Sequence, residues 1–193
     1  MDAKEAERPF VERIGEYLLS LPYDLKVLQE AVTDPDLDRR AREIAAGTII
    51  HTLMPQEGEP GPLRYVDDVI FVRAALRRIV ADGGEGADAF AGRFTEIYNK
   101  LDDDHEIFGA FLGAVWPWAT TKIEAFAKLP WKGKKSAQYL DDEEAASALY
   151  EDGLEFETNY PINDEMVKNR VKRSEPILEL LQKRHAEDAK KKA

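Results

Sequence analysis

The stretch from Ala41 to Leu76 constrains the fold of this chain more than any other. An apolar segment with helical spacing ends at Met54-Pro55, a Gly/Pro-rich turn from Gln56 to Pro62 follows, and Tyr65-Val66-Asp67-Asp68 opens a second apolar segment. Proline lacks a backbone donor and disfavours helical geometry in the residue before it, so the first helix must end there. The pattern predicts two consecutive helices joined by a loop.

Helical spacing of apolar residues recurs through the remaining sequence, and no alternating strand pattern of useful length occurs. We predict an all-α fold, an irregular bundle of about seven or eight helices with one of them kinked or split at Pro117. The segments with helical spacing are Pro9 to Leu21, a shorter helix after Pro22, Ala87 to Leu101, His105 to Phe126, Asp141 to Tyr160, and Asn163 to Leu181.

We also predict the domain organisation. Residues 1–130 are expected to form a helical core domain that contains the hairpin at 41–80. Residues 131–193 are expected to form a linker and a C-terminal helical extension, and the basic run Pro130 to Lys135 lies at the boundary.

The charge balance limits the classes of partner. The 193 residues carry 27 Lys and Arg against 38 Asp and Glu, a formal net charge of -11, which disfavours nucleic acid as a partner. The chain contains no cysteine, so disulfides and thiolate metal sites are excluded. No export signal and no apolar run long enough to span a bilayer is evident, and we expect a cytoplasmic protein.

The adjacent acids Asp67 and Asp68 are the sharpest local signal. Consecutive helical residues point about 100° apart, so we expect one carboxylate to face the loop and the other to face solvent or another helix. One interpretation is a divalent-metal or cation site completed by His51, because carboxylate and imidazole are ordinary metal ligands. The other is structural: acids at a helix start are stabilised by the helix dipole, and a buried carboxylate can hold loop amides.

Tryptophan and lysine residues gather in the second half of the chain. Trp116 and Trp118 lie in the apolar segment, and Trp131 adjoins Lys132, Lys134 and Lys135. Core packing explains these tryptophans most simply. If one is exposed beside the lysines, the region forms an amphipathic surface for a partner protein or an anionic membrane.

A family resemblance covers residues 41–80. The run Ala45 to Pro55, followed by Gly61-Pro62-Leu63-Arg64-Tyr65-Val66-Asp67-Asp68-Val69, resembles the core of the YkvA-like bacterial domain family of unknown function. That core is a helix ending at proline, a short loop, and Gly-Tyr-Leu/Val-Asp-Asp at the start of the next helix. Its members usually carry Pro-x-Asp-Leu-x-Pro-Asp in the loop, whereas this chain has Pro55-Gln56-Glu57-Gly58-Glu59-Pro60. The resemblance implies a helical fold and a paired-Asp hairpin, and it implies no reaction.

These observations favour a noncatalytic helical module that binds another protein without a cofactor, and the region from Trp116 to Lys135 is its best contact candidate. Two alternatives stay open. A metal-dependent, hydrolase-like enzyme would use Asp67, Asp68 and His51 to hold a divalent ion. A peripheral membrane protein would attach through Trp131 and its lysines or through the basic C-terminal tail, a possibility that the acidic composition does not favour.

Overall fold

The computed structural model describes residues 1–55 and 61–192, and it confirms the all-α prediction. The only strands in these residues form a two-stranded antiparallel ribbon, β1 (Pro130–Trp131) with β2 (Lys134–Lys135). The helices are α1 (Ala3–Thr33), α2 (Arg39–Leu53), α3 (Val66–Asp82), α4 (Ala87–Arg93), α5 (Thr95–Tyr98), α6 (Leu101–Leu112), α7 (Val115–Phe126), α8 (Gln138–Asp141), α9 (Glu143–Asn159), α10 (Asp164–Arg170) and α11 (Glu175–Lys192).

The first helix is longer than predicted, because α1 continues through Pro22. A mid-helix proline leaves the carbonyl four residues earlier without its usual donor, here that of Leu18. The hydroxyl of Tyr160 donates a hydrogen bond of 2.7 Å to this carbonyl oxygen. Asp2 caps the helix start by accepting from the backbone N–H groups of Lys4 and Glu5.

The hairpin of α2 and α3 forms as the sequence indicates. Helix α2 ends at Leu53, and a 3₁₀ turn from Pro62 to Tyr65 leads into α3. The α-helix therefore begins at Val66 rather than at Leu63, where the spacing and Pro62 predict its start. Most of the predicted loop, residues 56–60, lies outside the described residues. Helices α1, α2 and α3 pack against one another, α6 packs against α1, and α7 packs against α2 and α3.

The predicted split in the segment from His105 to Phe126 occurs one turn before Pro117. Helix α6 ends at Leu112, and Gly113 adopts a positive φ of 53°, a conformation that glycine enters without steric cost. Pro117 lies in the first turn of α7, where its missing N–H needs no partner. The glycine therefore makes the break, and the proline fits the helix that follows.

The C-terminal third contains more short elements than predicted. The basic run at 130–135 is the ribbon rather than an irregular linker, and the helix predicted from Asn163 is divided into α10 and α11. Helix α9 packs against α1, and one continuous buried cluster includes Ile14 as well as Leu149 and Leu181. The domain boundary near residue 130 stays a prediction.

Arg73 and the two aspartates that it contacts lie buried within the bundle. The guanidinium of Arg73 is buried, with Nη2 3.0 Å from an Asp104 oxygen and Nη1 3.4 Å from an Asp24 oxygen. Tyr17 donates a hydrogen bond of 2.6 Å to Asp104, and the Arg73 guanidinium lies 3.9 Å from the Tyr17 ring centroid. These contacts tie α1, α3 and α6 together, because each charge depends on partners from other helices.

No helix within residues 1–55 and 61–192 combines the length and the apolar character that crossing a membrane requires.

Candidate functional site

His51 and Asp68 lie near each other at the junction of α2 and α3, and Asp67 precedes Asp68 in the first turn of α3. Nε2 of His51 lies 3.9 Å from Oδ1 of Asp68, which is longer than a hydrogen bond. Both carboxylates are buried, at 2% exposure for Asp67 and 0% for Asp68. Both acids face other helices, as was expected for one of them: Asp67 meets Arg184 of α11, and Asp68 lies near His51 of α2.

Arg184 of α11 completes this group, which we call the paired-acid cluster (His51, Asp67, Asp68, Arg184). Its Nε lies 3.2 Å from Oδ2 of Asp67. Burial raises the pKa of Asp67, and the Arg184 cation opposes that rise. Sequence reasoning missed Arg184, although Ile177, Leu181 and Arg184 continue one helical face whose first two members are fully buried.

A second ion pair fixes α11 beside the paired-acid cluster. Asp188 binds the ammonium of Lys122 and accepts a hydrogen bond of 3.1 Å from Nε1 of Trp118. The ring of His185 lies 5.4 Å from the ring of Trp118. Trp118, a predicted partner contact, is therefore covered in part by the protein's own C-terminal helix.

His51 lies among apolar side chains that keep its imidazole neutral. Its ring stacks on Phe126 at 4.1 Å and meets the edge of Phe71 at 5.2 Å. Burial, reinforced by the cations of Lys122 and Arg184, lowers the pKa of His51 to about 4. The stack depends on Gly47, because a Cβ there would lie 2.3 Å from the backbone oxygen of Phe126.

Asp67, Asp68 and His51 are the residues that would hold the predicted divalent ion. In the described part of the chain, no three His, Asp or Glu side chains converge as a metal site requires. The positive charge next to Asp67 comes from Arg184. The metal hypothesis stays a prediction.

Trp116 lies inside the bundle at 4% exposure. Its Nε1 donates a hydrogen bond of 2.9 Å to Nδ1 of His105, so the proton of the neutral imidazole is on Nε2. Burial lowers the pKa of His105, which favours that neutral form. Trp116 therefore serves packing and offers little surface to a partner.

Trp131 and its lysines lie on the ribbon, where two acids hold the lysines. Lys132 lies 2.5 Å from Oδ1 of Asp152, and Lys134 lies 2.5 Å from Oδ2 of Asp142. These hydrogen bonds are the main cause of the raised pKa of each lysine. Lys135 is exposed and makes no ion pair within the described residues. Two of the three charges that were predicted to attract an anionic surface are thus neutralised locally.

A cleft of about 370 Å³ opens beside the ribbon, and we call it the aromatic cleft. Four half-buried aromatic side chains line it: Tyr65, Trp131, Phe156 and Tyr160. The Tyr65 ring lies 5.0 Å from that of Tyr160 and 6.2 Å from that of Phe156, both in edge-on geometry. The remaining lining residues are Leu53, Lys132, Asp152, Glu155 and Asn159.

The aromatic cleft has an acidic border. Helix α9, which supplies part of it, carries six acids and no lysine or arginine. Of the six, Asp152 pairs with Lys132, and Glu155 lies exposed at the cleft and forms no ion pair in the described residues. Sequence reasoning singled out Trp131 but missed the cleft, since its other aromatic residues come from distant positions in the chain.

No protein-family model, curated protein or solved structure matches this chain. The resemblance of residues 41–80 to the YkvA-like family therefore stays a prediction.

Proposed function

We propose that this protein is a noncatalytic binding module that captures a basic segment of a partner protein at the aromatic cleft. The observation that carries the proposal is that four half-buried aromatic side chains share one cleft with α9, a helix whose charged residues are all acidic. Aromatic side chains supply much of the binding energy in protein interfaces. A positively charged segment complements the border, and lysine and arginine also bind aromatic faces.

The charges of this face argue against polyanionic partners. An anionic membrane or a nucleic acid would meet the acids of α9, because Lys132 and Lys134 are already paired with Asp152 and Asp142. The net charge of -11 adds a long-range repulsion for polyanions and a long-range attraction for basic segments. A basic protein partner is the class that fits both the local and the overall charge.

A labelled peptide in which lysine alternates with serine tests the proposal. We expect its fluorescence anisotropy to rise on titration with the full-length protein, and we expect Trp131→Ala and Phe156→Ala to weaken binding by about tenfold or more. Tyr150→Ala is the matched control, because Tyr150 is an exposed aromatic residue on α9 that does not line the cleft. A glutamate–serine peptide should not bind.

Equal binding by Trp131→Ala, Phe156→Ala, Tyr150→Ala and the unchanged protein would overturn the proposal. Such a result would mean that the peptide is attracted by the overall negative charge and that the cleft contributes nothing. Circular dichroism spectra of all variants would establish that they keep the helical fold.

A further inference from the structure

Lys132 occupies an unusual position at the aromatic cleft. The ribbon turns through Lys132 and Gly133, which have φ values of 47° and 81°. A two-residue hairpin loop with positive φ at both positions favours Asn-Gly or Asp-Gly, and lysine is disfavoured there. The turn therefore has a lysine at a position whose positive φ favours asparagine or aspartate. The ammonium of this lysine contacts Asp152.

Asp152 is the more fixed partner of the two. Its side chain is 14% exposed, whereas that of Lys132 is 60% exposed. Nε1 of Trp131 donates a hydrogen bond of 2.7 Å to Oδ2 of Asp152 and thereby orients the carboxylate. Trp131 thus fixes the Asp152 carboxylate, whereas the exposed Lys132 ammonium can be displaced by another cation from solvent.

We propose that Asp152 and Trp131 form a socket for a single lysine ammonium of the partner, and that Lys132 is an internal competitor for this socket. The inference rests on the proposed function and names the group that the cleft selects. An incoming ammonium would take the Oδ1 position now held by Lys132. The Trp131 ring, whose centroid lies 5.8 Å from the Lys132 ammonium, provides a cation–π contact there.

The geometry of Asp152 selects lysine over arginine. A guanidinium binds a carboxylate best through two parallel hydrogen bonds to both oxygens. Trp131 already takes one acceptor position of Oδ2, which hinders a two-oxygen contact with a guanidinium, whereas the compact ammonium needs only Oδ1. A trimethylated lysine would also bind less well, because it has no N–H to donate to Oδ1.

The first test compares four peptides of otherwise identical sequence, in which one central position is lysine, arginine, trimethyl-lysine or norleucine. We expect the full-length protein to bind the lysine peptide several-fold more tightly than each of the other three. Trp131→Phe keeps an aromatic ring but frees Oδ2 of Asp152, and we expect it to abolish the preference for lysine over arginine. Unchanged selectivity in Trp131→Phe would overturn the inference.

The second test removes the internal competitor. Lys132→Asn suits the positive φ of the turn and should increase affinity for the lysine peptide by about fivefold. Lys172→Asn makes the same change in net charge at an exposed position outside the cleft, and it should change affinity far less. Equal gains from both variants would overturn the inference while leaving the proposed function standing. Failure of that function would appear instead as equal binding by Phe156→Ala and the unchanged protein.

Discussion

The hydroxyl of Tyr160 donates its hydrogen bond to the backbone carbonyl of Leu18, the group that Pro22 leaves without a donor inside α1. The tyrosine follows α9, so a residue near the end of one helix repairs a defect in the middle of another. This contact explains how α1 passes a proline without a break. It also fixes the position of one wall of the aromatic cleft.

Removal of the Tyr160 hydroxyl should cost stability only while Pro22 is present. Tyr160→Phe leaves the Leu18 carbonyl unsatisfied, and we expect the free energy of unfolding to fall by about 1–2 kcal/mol. In the Pro22→Ala background the restored N–H satisfies that carbonyl, so the same substitution should cost little. Urea unfolding of the four proteins measures this coupling.

Tyr23→Phe is the control for this cycle, because Tyr23 is exposed on α1 and its hydroxyl binds Glu96 at the surface. Its effect should be below about 0.5 kcal/mol. Additive effects of Tyr160→Phe and Pro22→Ala would contradict the explanation.

Arg184 should stabilise the protein chiefly by pairing with the buried Asp67. Arg184→Met keeps the aliphatic contacts but leaves a carboxylate without its cation, and we expect a loss of about 2–3 kcal/mol. Asp67→Asn in the same chain should restore most of that loss. Chemical denaturation is the measurement, with the exposed Lys183→Met as the control. A double variant as unstable as Arg184→Met would show that the ion pair is not the cause.

Gly47 should not tolerate a side chain. The Cβ of Gly47→Ala would lie 2.3 Å from the Phe126 backbone, which cannot move without shifting α7, so we expect a loss of about 3 kcal/mol. Gly92→Ala is the matched control within α4. Its Cβ meets no atom within 4 Å, and it should gain about 0.5–1 kcal/mol from helix propensity. A small effect of Gly47→Ala on the thermal midpoint would mean that α2 and α7 are less closely packed.

Two buried groups give opposite pH dependences. Burial raises the pKa of Asp24 from 3.8 to about 6, so its contribution to stability is complete below pH 3.8 and is lost as the pH rises through 6. The lowered pKa of His51, about 4 instead of 6.5, gives a contribution that is complete above pH 6.5 and is lost as the pH falls through 4. Over this range the two effects largely cancel.

Substitution of either group should expose the pH dependence of stability that the other contributes. Between pH 4 and pH 6.5, the stability of Asp24→Asn should rise by about 3 kcal/mol relative to that of the unchanged protein. The unchanged protein loses the contribution of Asp24 over this range, and the variant has no such contribution to lose. His51→Gln should instead lose stability relative to the unchanged protein over the same rise in pH, because it lacks the contribution of His51. Denaturant unfolding at several pH values tests both variants. Parallel stability curves for all three proteins would contradict the assignment.

Local sequence signals predicted the helices well where the signal lay within one segment. The bounds of α2 follow from apolar spacing and Pro55, and the start of α3 follows from Pro62 and the paired acids. The continuity of α1 could not be predicted, because it depends on Tyr160, which is remote in sequence from Pro22.

The sites were harder to predict because the burial of a side chain depends on contacts with segments that are remote in sequence. Trp116 and Trp131 look alike in sequence, yet one is buried against His105 and the other borders a cleft. Asp152 gives no local indication that it will orient on Trp131 and hold Lys132. Arg184 gave a weak signal, namely its spacing from Ile177 and Leu181.

Helix α1 has a consequence for the kinetics of folding. At 31 residues it is about 45 Å long, and it contacts α2, α3, α6, α8, α9 and α10, which are spread over most of the described chain. Helical proteins fold fast when their contacts are local, and the contacts of α1 with α9 and α10 are not. Chain collapse must therefore bring distant segments onto one long helix, and this protein should fold more slowly than a bundle of sequential hairpins.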